Sequence, residues 1–235
     1  KVVRYWPRIE SDFALCECWQ RQTGKPDEPV FWLVHGADGS LRAYGMTGAS
    51  RLAAPDDASR VSAWLLCESM NARGEHICYE YKADDAEPDP VHDYRAQRYL
   101  RRVCYGNVVA SNQLLSWTSD NPAATARWYF QLLFDFGERG TLLTDKPEYA
   151  STKLWPVRDD AFLTHGQGFE LGTRRRCHQV LMFHLFPDGA VDSAKLVRRL
   201  LLEYGPLSDE QPYSLIRAAH YQGFNADGSA ENSPP

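Results

Sequence analysis

The stretch Pro29-Val30-Phe31-Trp32-Leu33-Val34-His35-Gly36-Ala37-Asp38-Gly39-Ser40-Leu41-Arg42-Ala43-Tyr44-Gly45 decides the fold class. Its first seven residues are mostly apolar, aromatic or β-branched, the composition that suits a pleated, half-buried strand. Gly36-Ala37-Asp38-Gly39 reads as a turn, and Gly39 is free to take the positive φ that a tight hairpin loop needs. A second arm then runs from Ser40 to Gly45. A four-residue loop would pair His35 with Ser40, setting Val34 against Leu41 and Phe31 against Tyr44, the apolar cross-strand pairs that stabilise a sheet.

The same grammar recurs downstream. Residues 62–70 lead into Asn71-Ala72-Arg73-Gly74, and the returning arm alternates Ile77, Tyr79 and Tyr81 against His76, Cys78 and Glu80, a period of two. With Asn71–Gly74 as the loop, Met70 pairs with Glu75 and Cys67 lies opposite Cys78, within reach of a strained bridge; free thiols are expected. Pro55-Asp56-Asp57 reads as helix-capping chemistry, so a short helical turn is expected near 56–60. Further strands are expected over 98–105, 128–136, 174–186, 196–204 and 213–224, and mobile loops over 83–92 and 142–158. The fold class is therefore mainly β, an antiparallel, hairpin-built sheet or sheets, with helix below roughly 20% of residues against a usual 30–35%. Residues 1–224 read as one β domain without a clear internal boundary, and 225–235 as a flexible tail or linker.

Composition narrows the function. The chain has 235 residues, 43% hydrophobic and 24% charged, with a net charge of -5. That supports a sizeable core and excludes a disordered chain. It argues against a basic nucleic-acid groove and against a polybasic membrane surface. No apolar run reaches the roughly 18 residues of a membrane span, so no direct membrane insertion is expected. The opening Lys1-Val2-Val3-Arg4-Tyr5-Trp6 carries no signal-peptide pattern and no initiator Met, so the chain reads as part of something longer. The six cysteines form no CxxC pair and no zinc-finger spacing, and read as small buried hydrophobes in a chain made in reducing cytosol.

No motif rises to catalysis. His35-Gly36-Ala37-Asp38-Gly39 would suit the oxyanion loop of an esterase only beside a Gly-x-Ser-x-Gly elbow, and none exists. Its glycines also fail the dinucleotide and P-loop patterns. His178 and His184 would share a strand face. Arg174-Arg175-Arg176 could form an anion site, but alternation turns Arg175 away from its neighbours, so the run reads as an edge or a solvated face. Asp135, Glu138 and Arg139 read as a charged strand end. Seven Trp and twelve Tyr suit either buried aromatic ladders or exposed binding platforms. No catalytic, cofactor-binding or metal-binding residue is assigned.

The order of several segments resembles one family. Tyr5-Trp6-Pro7-Arg8-Ile9-Glu10-Ser11-Asp12-Phe13 is similar to the opening segment of the SpvB-type amino-terminal domain, found in B components of insecticidal toxin complexes (Tc toxins) and in a Salmonella virulence protein. The likeness continues through Phe31–Gly39, Ser50-Arg51-Leu52, Ala63–Ser69, Gly74–Tyr81, Arg98-Tyr99-Leu100 with Tyr105-Gly106-Asn107, and Phe134–Glu138. It ends in Gly168–Arg175 and Cys177–His184. The resemblance implies a non-catalytic structural segment of a secreted toxin, part of the hollow β-shell or cocoon, related to Rhs-type shells, that encloses and delivers a separate toxic carboxyl-terminal domain. It implies as partners the remaining segments of the toxin's own chain (β-propeller and shell), the Tc C component and, through the propeller, the A component. The ADP-ribosyltransferase elements known in part of the family lie in another domain and have no counterpart here in suitable order. Two rival classes remain: a carbohydrate- or receptor-binding β module using exposed Trp and Tyr, and a β-sandwich hydrolase.

Overall fold

In chain order the strands are β1 (Val2–Tyr5), β2 (Leu15–Gln20), β3 (Val30–His35), β4 (Leu41–Tyr44), β5 (Arg51–Ala54), β6 (Asp57–Trp64), β7 (Leu66–Met70), β8 (His76–Ala83), β9 (Arg98–Asn107), β10 (Trp128–Asp135), β11 (Phe162–Thr164), β12 (Leu171–Thr173), β13 (Gln179–His184), β14 (Lys195–Tyr204) and β15 (Ile216–Gly223). The computed structural model describes residues 1–9, 12–22, 29–84, 89–151, 153–186, 194–225 and 227–231. Among them, eleven strands form one antiparallel sheet in the order β1-β2-β3-β4-β7-β8-β9-β10-β13-β14-β15. Each strand pairs with the next one in the chain, except where the small hairpins β5–β6 and β11–β12 are inserted. The helical pieces among the described residues are three single 3-10 turns, Gly48–Ser50, Leu115–Trp117 and Pro122–Ala124. The fold is thus mainly β and hairpin-built, as the sequence pattern predicts.

Two turns of one design set the register, and both correct the expected pairing by one residue. Gly36 N–H donates to Ser40 O (2.8 Å) and Gly39 N–H to Gly36 O (3.1 Å); Asn71 N–H donates to Glu75 O and Gly74 N–H to Asn71 O, both 3.1 Å. Gly39 (φ 79°) and Gly74 (φ 75°) take the left-handed conformation. Each is a three-residue loop whose glycine forms a bulge, rather than the four-residue loop expected. His35 therefore opposes Leu41, Val34 opposes Arg42 and Trp32 opposes Tyr44. Met70 opposes His76 and Glu68 opposes Cys78, so Cys67 and Cys78 are not cross-strand partners. Cys78 instead faces Cys104 across β8 and β9, and all six cysteines are free thiols.

Three further expectations change. The helical turn near 56–60 is absent: β6 begins at Asp57 and pairs with β5. The Asp57 carboxylate accepts the N–H (3.0 Å) and Oγ–H (2.6 Å) of Ser59, using the capping chemistry inside a hairpin. The run 62–70 breaks at Leu65, whose N–H donates to Ser50 O and whose carbonyl accepts Gly45 N–H, each at 2.8 Å. The strand expected over 174–186 is confined to β13. In the segment read as a tail, Phe224 bridges to Ala230 around a turn closed by Asn225 N–H to Ser229 O (2.9 Å). Residues 226 and 232–235 of that segment lie outside the described residues, as do 85–88 of the loop read over 83–92 and 152 of the loop read over 142–158.

The register divides the central sheet into two unlike faces. On one lie the cross-strand rows Cys78–Cys104–Gln131–Phe183, Glu80–Arg102–Leu133–Leu181–Arg199 and Asp135–Gln179–Leu201. Most of these side chains are buried. On the other lie Ile77–Tyr105–Phe130–His184, Tyr79–Val103–Leu132–Met182–Arg198 and Phe134–Val180–Leu200–Tyr221. There Ile77, Leu200 and Tyr221 are exposed, Val103 is buried, and the other apolar members are half-buried.

Candidate functional site

The charged face is covered because its side chains hold loops down onto it. Glu68 and His76 sit on neighbouring strands with both side chains fully buried, His76 Nδ1 2.6 Å from Glu68 Oε1. The Glu68 carboxylate also accepts the N–H groups of Leu115 and Ser116, each at 2.9 Å. His76 Nε2 lies 2.8 Å from Ser111 O. Both ring nitrogens thus face oxygen acceptors, which calls for an imidazolium donating from both. Burial pushes the Glu68 carboxyl up, but the bonds from His76 and the two amides outweigh it and hold it below its ordinary range. Burial lowers His76, yet Glu68 and the Ser111 carbonyl raise it overall. The pair pins residues 111–116 over the β7–β8 hairpin.

Two more clamps follow the same logic. Asp84, its side chain fully buried, accepts from Arg174 Nε and Nη2 (both 3.1 Å) and from Arg175 Nε (3.2 Å) and Nη2 (2.9 Å). Arg175 also donates to Trp155 O, and Arg174 lies 3.9 Å from the Tyr94 ring centroid. Arg199, 1% exposed, donates to the carbonyls of Leu142 (3.2 Å), Leu143 (2.7 Å) and Asp145 (3.2 Å), anchoring the loop after β10. Tyr149 completes that cover, its hydroxyl donating to Gln131 Oε1 at 2.8 Å.

The amides of Gly36 and Gly39 are spent inside their turn, so the loop after His35 offers no oxyanion hole. Arg174 and Arg175 are buried on Asp84 rather than on an edge or a solvated face; residues 174–178 are not strand, so alternation does not apply to them. Asp135 does end a strand, but it is buried beside Glu138, and Arg139 Nη1 bonds to both carboxylates. Burial and then the Glu138 charge raise the Asp135 carboxyl. His184 packs edge-on to Phe130, ring centroids 4.9 Å apart. His178 is six residues away, about 20 Å along an extended chain, so the two form no site. Burial pushes the Cys104 and Cys177 thiols up to about 12, which suits inert packing rather than nucleophilic work. Among the described residues no three His, Cys, Asp or Glu side chains are grouped to hold a metal ion, and no helix is long and apolar enough to cross a membrane.

Sequence reasoning missed the Glu68–His76 clamp and Asp84. The first was readable: once Gly74 is taken as a bulge, Glu68 and His76 become diagonal neighbours on one face. Asp84 carried no such signal, lying 90 residues from Arg174.

The chain is thus a wide antiparallel β meander whose loops are clamped onto one face by buried charge. The family model for the Salmonella virulence plasmid 65kDa B protein, SpvB, matches residues 1–186. Mono(ADP-ribosyl)transferase SpvB of Salmonella typhimurium is 40% identical over 234 residues, covering 97% of this chain and 38% of the relative. The solved N-terminal domain of effector protein SpvB from Salmonella typhimurium strain LT2 superposes with a TM-score of 0.86 at 38% identity, over 95% of this chain and 69% of that one. A chain of the Photorhabdus luminescens Tc holotoxin pore gives 0.85 at 34% identity, over 98% of this chain and 11% of that one. A chain of the TcdB2-TccC3-Cdc42 crystal structure gives 0.84 at 35% identity. The chain belongs to the SpvB family, and it spans 38% of the length of the Salmonella relatives it matches.

Proposed function

We propose that this chain is a non-catalytic structural segment of a secreted toxin of the SpvB and Tc B-component type. It helps build a hollow shell around a separate toxic domain and delivers that domain without reacting itself. The observation that carries the reading is the inverted polarity of the sheet. An isolated two-faced sheet turns charge to water and apolar residues inward; here Glu68, His76, Arg102, Asp135 and Arg199 lie beneath loops, while Ile77, Leu200 and Tyr221 lie on the exposed face. An apolar face of this kind marks a surface that another part of an assembly covers. The rest of the toxin chain and the Tc C component are the partners that fit. The likeness to chains in Tc assemblies and the restriction of the match to 38% of SpvB support the same reading.

The test compares the 235-residue chain with a longer parent containing it. Binding of a hydrophobic dye and hydrogen exchange at β8, β10 and β14 should both fall in the longer chain. An open face that stays equally dye-accessible there would overturn the shell reading. Glycan-array binding lost on Tyr221→Ser would move the assignment to a carbohydrate-binding module. Hydrolase or ADP-ribosyltransferase turnover by the 235-residue chain, abolished by one substitution, would make it an enzyme.

A further inference from the structure

The run Arg174-Arg175-Arg176 contains two arginines with a counter-charge and one without. Arg174 and Arg175 share Asp84. Arg176 is half-buried, and no carboxylate pairs with it among the described residues; its Nη1 donates to Ser214 Oγ and its Nε is buried without a partner. The nearby acids are already engaged. Asp160 takes a two-pronged contact from Arg158 (2.7 and 2.6 Å) and the Ser214 N–H (2.6 Å), and Glu203 Oε2 lies 3.0 Å from His220 Nε2.

Arg176 opens onto a cleft of about 380 Å³, whose wall includes Thr141, His178, Tyr204 and His220. Its guanidinium stacks on the Tyr204 ring, 4.5 Å from the centroid, and His178 meets the same ring edge-on at 5.8 Å. The Tyr204 hydroxyl is tied to Cys177 O at 2.7 Å, so the platform under Arg176 is held in place. A planar guanidinium on an aromatic face keeps its fork of donors directed, and that fork matches the oxygens of a carboxylate or phosphate group. The cleft is in the size range of small-ligand sites.

We propose that this cleft binds a small oxyanion, a carboxylate or phosphate group, with Arg176 as its charge partner and His178, His220 and Thr141 as surrounding donors. Burial, followed by the charge of Arg176, lowers His178 from its ordinary range, leaving it neutral in the empty cleft. A bound anion offsets the Arg176 charge and offers the imidazolium an acceptor, so His178 becomes easier to protonate when the cleft is filled. Two acids bear on the cleft: Glu138, whose charge acts on His178 but which is paired with Arg139, and Glu203, half of whose side chain is exposed and which already faces His220; neither pairs with Arg176.

The experiment titrates the 235-residue chain with inorganic phosphate, with acetate and with chloride at constant ionic strength, following the histidine ring resonances by NMR. Saturable shifts at His178 and His220 with phosphate, with acetate, or with both identify the anion class, whereas chloride should move neither. The pH at which His178 titrates should rise with the bound anion. Arg176→Gln should weaken binding at least ten-fold, Thr141→Val by less, and Arg198→Gln on the opposite face should leave it unchanged. Should Arg176→Gln fail to fold, Arg176→Lys and His178→Gln carry the test, each weakening binding. Equal behaviour of phosphate, acetate and chloride, or undiminished binding in every one of the cleft variants, overturns the proposal.

Discussion

The covered and open faces of the central sheet are built from the same strands, one residue out of phase. In β10, Gln131, Leu133 and Asp135 point under the loops, while Phe130, Leu132 and Phe134 point the other way. The covered face spends its charge on fixing loops: Glu68 on two backbone amides, Arg199 on three backbone carbonyls, Asp84 on two arginine side chains. The open face makes few such bonds and offers shape and apolar area instead. Stability should therefore be concentrated on the covered face and association on the open one, since a buried ion is costly to strand whereas an exposed apolar side chain contributes little to an isolated fold.

The largest effect should come from Asp84→Asn. It leaves Arg174 and Arg175 buried with no full negative charge between them, a loss of about 3–5 kcal/mol by analogy with other broken buried ion clusters. Urea denaturation measures it, and a change under about 1 kcal/mol would show that solvent reaches the cluster. A paired comparison comes next. Leu181→Ala removes a fully buried side chain from the covered face and should cost about 2–5 kcal/mol. Leu200→Ala, one strand away on the open face at 37% exposure, should cost less than about 1 kcal/mol. Similar losses at the two sites would abolish the distinction between the faces.

The Glu68–His76 clamp sharpens the comparison through pH. His76 is raised above its ordinary value of 6.5, so its contribution is complete below that value and is lost as pH climbs through the folded one. Glu68 is lowered below 4.5, so its contribution is complete above that value and is lost as pH falls through the folded one. The urea midpoint of the wild-type chain should have a plateau between these limits and fall on both sides. The double variant Glu68→Gln, His76→Gln should be less stable on the plateau, and its deficit should shrink at both extremes. A deficit independent of pH would mean that the two groups act only by packing.

Strand positions were legible from period-two alternation and glycine turns, which is why β3, β4, β8, β9, β10, β14 and β15 lie where the pattern puts them. Register was not, because one left-handed glycine shifts every pairing beyond it by one residue, and the letters Gly39 and Gly74 suit either loop length. β1, β2, β5, β11 and β12 lie outside the strands that the pattern predicts: β1 is a four-residue edge strand with every residue exposed, β5 has four residues, and β11 and β12 have three each. The clamps were hidden for a different reason. Asp84 with Arg174, and Glu68 with Ser116, join residues far apart in sequence, and no local pattern announces a charge that will be buried. An inverted face is equally silent, since alternation tells which residues share a side and not which side meets water.

The smallest expected change in stability tests the open face most directly. Ile77 is 38% exposed, Tyr221 is 63% exposed, and they belong to the outer rows of that face. Ile77→Lys keeps a long aliphatic stem along the sheet while placing an ammonium in water, so folding should change by no more than about 0.5 kcal/mol. Self-association should respond far more. The described sheet ends in two edge strands, β1 and β15, and a charge set in an exposed apolar row discourages stacking of one copy on another. Sedimentation at rising concentration should show the wild-type chain oligomerising and Ile77→Lys with Tyr221→Ser remaining monomeric at equal urea stability. If both chains stay monomeric throughout, the apolar face is self-sufficient in water, and the case for a covering partner passes to the edges, where Val3→Pro in β1 can be compared with Ala219→Pro in β15.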